Sequence, residues 1–122
     1  MKNIDWIIHY VFGSCPIKNI TNYHTHGMEH YGHLDFQLVL NVSNDHAEYL
    51  LNTLGMRVQN GERFKSGDLV AGLYEDCSVR LDEYPETGRT VLRLIIPDEY
   101  NRFPEDPDCS KPYCYQLMHF SE

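Results

Sequence analysis

A chain of 122 residues is long enough for one hydrophobic core and too short for two; with 42% apolar residues, nine Tyr and five Phe, disorder is excluded. A formal net charge of −8, with Lys and Arg scattered singly, argues against binding to nucleic-acid phosphates. No run approaches the roughly 18 apolar residues of a membrane span, and the N-terminus lacks the apolar stretch and cleavage site of a secretory signal.

In chain order, residues 4–12 are rich in β-branched and aromatic types and predict a strand that ends by Gly13 and Pro16. A short amphipathic helix pairing Ile4, Ile7, Ile8 and Val11 is the competing pattern. A second strand is expected from Tyr23 to Met28, then a turn through Glu29 to Gly32. A third follows in Phe36–Val42, with Phe36, Leu38, Leu40 and Val42 on one face.

One main helix is expected over about 44–55. Ser43 or Asn44 can cap it, Asp45 and Glu48 suit its positive end, and Ala47, Leu50, Leu51 and Leu54 form its apolar stripe. Gly55 reads as its stop. Turns follow at Asn60-Gly61 and Ser66-Gly67-Asp68, then strands at Leu69–Tyr74 and Cys77–Leu81. Glu86-Thr87-Gly88 marks a hairpin into the β-prone run Thr90–Ile96, which Pro97 ends. Residues 98–112, acidic and broken by Pro104, Pro107 and Pro112, predict a surface loop, and Tyr113–Phe120 a last short strand.

The expected fold is thus α+β, a single domain over 1–122. It has a mainly antiparallel or mixed sheet of about five to seven strands with the helix packed on one face. Ala47, Leu50, Leu51 and Leu54 would meet Leu38, Leu40, Leu92, Leu94 and Ile96 in the core.

Several motifs follow one another along the chain: His24-Thr25-His26-Gly27-Met28-Glu29 before Tyr31-Gly32-His33-Leu34-Asp35-Phe36-Gln37, then Leu51–Gly55 with Val58–Phe64. Tyr74-Glu75-Asp76-Cys77 and Asn101-Arg102-Phe103-Pro104-Glu105-Asp106-Pro107 complete the series. Over nearly its whole length the chain resembles a bacterial domain-of-unknown-function family, number 4262. The resemblance implies a small, mostly stand-alone bacterial α+β protein and carries no activity. It also implies that His33 occupies a family position, while distant members have other residue types at His24 and His26.

Four of the seven histidines, His24, His26, His30 and His33, fall within ten residues. On a strand, His24 and His26 project from the same face, and a turn through Glu29 to Gly32 can return His30 or His33 toward them. Three imidazoles with an open fourth position suit zinc or another divalent transition metal, with Glu29 or Asp35 as base or supporting partner. The bland alternative is histidines satisfied by main chain and water, in a turn that needs Gly27 and Gly32 rather than a ligand.

Cys109 and Cys114 form a looser pair near His119 that would need a second pair, Cys15 and Cys77, to complete a zinc site. Cys77 reads better as a packing residue. No signature of a nucleophilic cysteine surrounds any of the four, and they are too few and scattered for a secreted disulfide framework. Reduced thiols in a cytoplasm are the expectation. Acidic residues of the second half, Glu75 and Asp76 among them, read as solvated loops that give an electronegative face suited to a basic partner protein. No phosphate loop, serine elbow or dinucleotide fingerprint is present.

Three functions follow as expectations. The first is a non-catalytic binding or regulatory module for a small ligand or partner protein, with a homodimer compatible. The second is a metal-dependent hydrolase using His24, His26 and His33. The third is an immunity or counter-defence accessory protein, for which small acidic inhibitors are suited.

Overall fold

The computed structural model describes residues 4–11, 19–86 and 88–118. Its strands are β1 (Ile7–Val11), β2 (Thr21–His26), β3 (Asp35–Leu40), β4 (Leu69–Val70), β5 (Val79–Glu86) and β6 (Arg89–Ile95), with one helix, α1 (Asn44–Gln59). They form one six-stranded sheet in the order β1-β2-β3-β6-β5-β4. Only β3 and β6 run parallel, as expected when a helix separates two strands in the chain. The mixed α+β sheet with one main helix is the architecture expected from the sequence.

A short turn joins β2 to β3. Between β2 and β3 the chain makes a single 3-10 turn over Met28–Tyr31, entered by Gly27 at φ 133° and left by Gly32 at φ 67°. Both angles favour glycine. At Gly27 a Cβ would also stand 2.8 Å from the Cβ of Trp6.

Ser43 caps α1, its hydroxyl accepting from the His46 amide at 3.1 Å. The helix does not stop at Gly55 but continues to Gln59, and Asn60 and Gly61 form the turn after it. Gly55 serves packing instead: a Cβ there would lie 2.5 Å from the indole of Trp6. Ala47, Leu50, Leu51, Leu54 and Val58 bury the helix stripe against Tyr23, Phe36, Leu38, Leu40, Leu81, Leu92 and Leu94 of the sheet. Each large side chain sealed there contributes about 1.5–3 kcal/mol.

The opposite face of the sheet is polar and also largely closed. Cross-strand register lines up His9, His24, Gln37, Arg93 and Asp82 in one row over β1, β2, β3, β6 and β5. The segment after β6 folds back over this face, where Phe103 and Leu117 pack on Tyr84, Val91 and Ile95. Arg93, fully buried, donates from Nε to Gln37 Oε1 at 2.7 Å and from Nη1 to the carbonyls of Gln116 and Met118. Gln37 in turn donates to Asn22 Oδ1 at 3.1 Å.

Three strand expectations need correction. Leu69–Tyr74 forms strand only at Leu69–Val70, because the chain turns away at Gly72, where φ is 93°. Cys77–Leu81 shifts to Val79–Glu86, running on to the hairpin. Tyr113–Phe120 contains a 3-10 turn at Tyr113–Tyr115 instead of a strand, and residues 119–120 lie outside the described residues. Here the Gln116 side chain takes the place of a ladder, accepting from the Ile96 amide at 2.8 Å and donating to its carbonyl. No helix among the described residues is long and apolar enough to cross a membrane.

Candidate metal centre

β1 and β2 pair so that His9 stands opposite His24, and His26 lies two residues on, on the same face. The three rings converge. Ring centroids are 5.4 Å apart for His9–His24, 4.4 Å for His9–His26 and 4.9 Å for His24–His26. One ring nitrogen from each lies within 4.8 Å of the others. Tetrahedral coordination at about 2.0–2.1 Å puts nitrogens roughly 3.3 Å apart, so a pair at the 4.8 Å limit would close by about 1.5 Å around an ion.

His24 is the inner member, 4% exposed. Its Nδ1 is the one buried side-chain nitrogen or oxygen without a hydrogen-bond partner among the described residues. The Glu86 carboxylate stands 3.6 Å from it and is itself 6% exposed. Arg89 holds Glu86 from Nη2 at 3.2 and 3.3 Å, pairs with Asp35 at 2.7 Å, and donates to the Thr25 carbonyl at 3.0 Å.

Burial holds the His24 imidazole below its ordinary pKa; Glu86 opposes the shift, while His26, Arg89 and His9 add to it. His26 is lowered by burial, then by Arg89 and His9, against Asp35 and Glu86. Both rings are therefore neutral near pH 7, the form that ligates a metal. Two carboxylates, Asp35 and Glu86, outnumber the single guanidinium beside them, so the surroundings suit an added cation.

The histidines expected to join His24 and His26 do not. His33 is held by its backbone surroundings: Nε2 accepts from the Phe64 amide at 3.0 Å, which leaves Nδ1 to donate to the Leu34 carbonyl at 2.7 Å. Its ring packs between Phe36 and Phe64. With both nitrogens engaged it has no lone pair to offer an ion. His30 lies exposed in the 3-10 turn, outside the converging group.

Asp35 is no free base either. Its carboxylate accepts from the Thr25 hydroxyl at 2.8 Å, the Met28 amide at 3.1 Å and Arg89 at 2.7 Å, which ties β2, the turn and β6 to β3. Glu29 is exposed. Even so, His26, Glu29, His33 and Asp35 share one open groove of about 390 Å³ with Leu34, Arg89 and Thr90. His26 belongs to both groove and triad, so the groove opens beside the imidazoles.

The cysteines supply no second centre among the described residues. Cys77, Cys109 and Cys114 are free thiols. Cys109 is buried with its Sγ donating to the Arg102 carbonyl at 3.4 Å, and burial followed by Asp98 and Cys114 pushes its thiol pKa up. That favours the protonated thiol over a metal-binding thiolate. Cys15 and His119 lie outside the described residues.

His9, Glu86 and Arg89 are not among the site residues to which the sequence patterns point. The signal for His9 was a histidine in a strand preceding a His-Thr-His strand, which acquires meaning only with the register between the two.

A family model described as Domain of unknown function (DUF4262) matches residues 1–110. The chain belongs to this family. The match spans His9, His24, His26, Glu86 and Arg89, and ends before Gln116 and Met118, which close the second face of the sheet over Arg93. No curated protein and no solved structure matches the chain.

Proposed function

We propose that this domain binds a divalent transition metal of the zinc type through His9, His24 and His26, and takes a small ligand at the metal's open side. The observation that carries this is the convergence of three imidazoles, with one ring nitrogen of each within 4.8 Å of the others. All-imidazole donors favour zinc, copper, nickel or cobalt over calcium or magnesium, which prefer oxygen.

Three protein ligands leave a coordination position vacant, and the groove beside His26 gives a small molecule or a water access to it. This supports a metal-dependent binding module; a hydrolase at this centre would use His9 in place of His33. The free thiols of Cys77, Cys109 and Cys114 fit a reducing cytoplasm.

The test is metal analysis of untagged protein purified without chelator, followed by calorimetric titration of zinc into the metal-free form at pH 7.5. About one ion per chain is expected, lost in His9→Ala, His24→Ala and His26→Ala. Substoichiometric metal together with no saturable zinc binding overturns the proposal.

A further inference from the structure

We propose that Glu86 is the positioning residue of the centre: it accepts the Nδ1 proton of His24, fixes the tautomer that leaves Nε2 for the metal, and so sets the affinity. This rests on the metal-centre reading given above.

A histidine that ligates a metal through one nitrogen carries its proton on the other, and a buried N–H without an acceptor is costly. His24 Nδ1 is enclosed and has no hydrogen-bond partner, and the nearest ionisable oxygen is Glu86 Oε1 at 3.6 Å. That gap exceeds a normal N–H···O bond by about 0.6 Å, within reach of a small ring rotation.

Glu86 is held ready for this role. It ends β5 directly opposite Arg89 at the start of β6, and the guanidinium grips its carboxylate from the hairpin partner. Asp35 on β3 takes the other arm of Arg89. The series Asp35–Arg89–Glu86–His24 thus joins four strands and ends at the ring nitrogen that lacks a partner. A carboxylate that accepts from the far nitrogen of a ligating imidazole strengthens the ring as a ligand and offsets part of the ion's charge.

The experiment uses the full chain and Glu86→Gln, which keeps the shape and removes the charge, with exposed Glu83→Gln as control. Zinc affinity is read by competition titration, and the tautomer of His24 by imidazole nitrogen NMR on metal-free and zinc-loaded wild type. A Kd raised about 10–100-fold in Glu86→Gln, with no change in Glu83→Gln, is expected. So is an Nδ1-protonated His24 with zinc on Nε2.

An unchanged Kd in Glu86→Gln while wild type binds zinc overturns the positioning role and leaves the metal centre intact. Zinc seated on Nδ1 of His24 does the same. Failure of wild type to bind zinc sinks the metal reading alone, and the metal-free tautomer still decides the Glu86–His24 pairing: an Nε2-protonated ring overturns it. The wild-type NMR measurement stands even if Glu86→Gln does not fold.

Discussion

Gly55, in the interior of α1, lies flat against the indole of Trp6, so close that a Cβ would come 2.5 Å from Cζ2 and 2.7 Å from Cε2. The indole nitrogen donates to Asn52 Oδ1 on the same helix at 2.9 Å, which fixes the ring in place. In an exposed helix, Gly→Ala is expected to gain up to about 1 kcal/mol. Here Gly55→Ala is expected to lose about 1–3 kcal/mol through overpacking, read as a lower urea midpoint. Trp6→Leu in the same background should recover part of that loss, because the two effects share one contact.

The two histidine sets separate cleanly. His33→Ala should bind zinc with wild-type stoichiometry and yet unfold more easily, by about 1–2 kcal/mol, because the Phe64 amide loses its acceptor. His9→Ala should behave in the opposite way, abolishing zinc binding at little cost to the metal-free protein, since His9 is exposed. For wild type, zinc at 100 times its Kd should add about 2.7 kcal/mol to stability, reversed by a chelator. Zinc binding that survives His9→Ala but not His33→Ala would reverse the assignment.

Acid should weaken the metal-free protein before its carboxylates titrate. His24 and His26 have folded pKa values lowered below the ordinary 6.5. As pH falls through 6.5 the unfolded chain takes up these protons first, so stability drops with pH until the folded rings also protonate. Urea midpoints in the presence of chelator should fall from pH 7.5 to 5.5, and His24→Gln with His26→Gln should flatten that slope. A midpoint that stays level in wild type contradicts the burial of neutral rings.

The loop after β6 is organised by a single carboxylate. Asp98 accepts from the amides of Tyr100, Arg102 and Ser110 and from Arg102 Nε, at 2.9–3.0 Å. Burial alone would raise its pKa, but these donors outweigh it and hold the carboxyl far below the usual range. Its stabilising effect is present above the unfolded value of 3.8 and is lost as pH falls below that. Asp98→Asn should lower the melting temperature by several degrees at pH 7 and by progressively less toward pH 3, measured by calorimetry.

Local patterns in the sequence carried the parts of the fold whose causes are local. The Ser43 cap and the stripe Ala47, Leu50, Leu51 and Leu54 follow from helix chemistry, and each lies where that chemistry predicts. Gly55 shows the limit: the rule that glycine ends a helix yields to Trp6, a contact made by a distant segment. The candidate site divides along the same line. His24 and His26 share a face because strands have a period of two, which any reader of the sequence can apply. His9 joins them through the register of β1 on β2, and Glu86 through the β5–β6 hairpin on the far side of β3, neither of which composition encodes. His33 was drawn to the cluster by proximity in the chain, whereas its two nitrogens are consumed by Leu34 and Phe64.

Arg93 carries a consequence for biosynthesis. Its guanidinium is sealed within the sheet's second face, and two of its acceptors are main-chain carbonyls of residues 116 and 118. While a ribosome still encloses those residues, the cation lacks these two acceptors, although the Gln37 side chain and the Tyr84 ring, 3.8 Å away, are already within reach. The helical side of the sheet can therefore consolidate during translation, but the charged layer locks only once that late stretch has emerged.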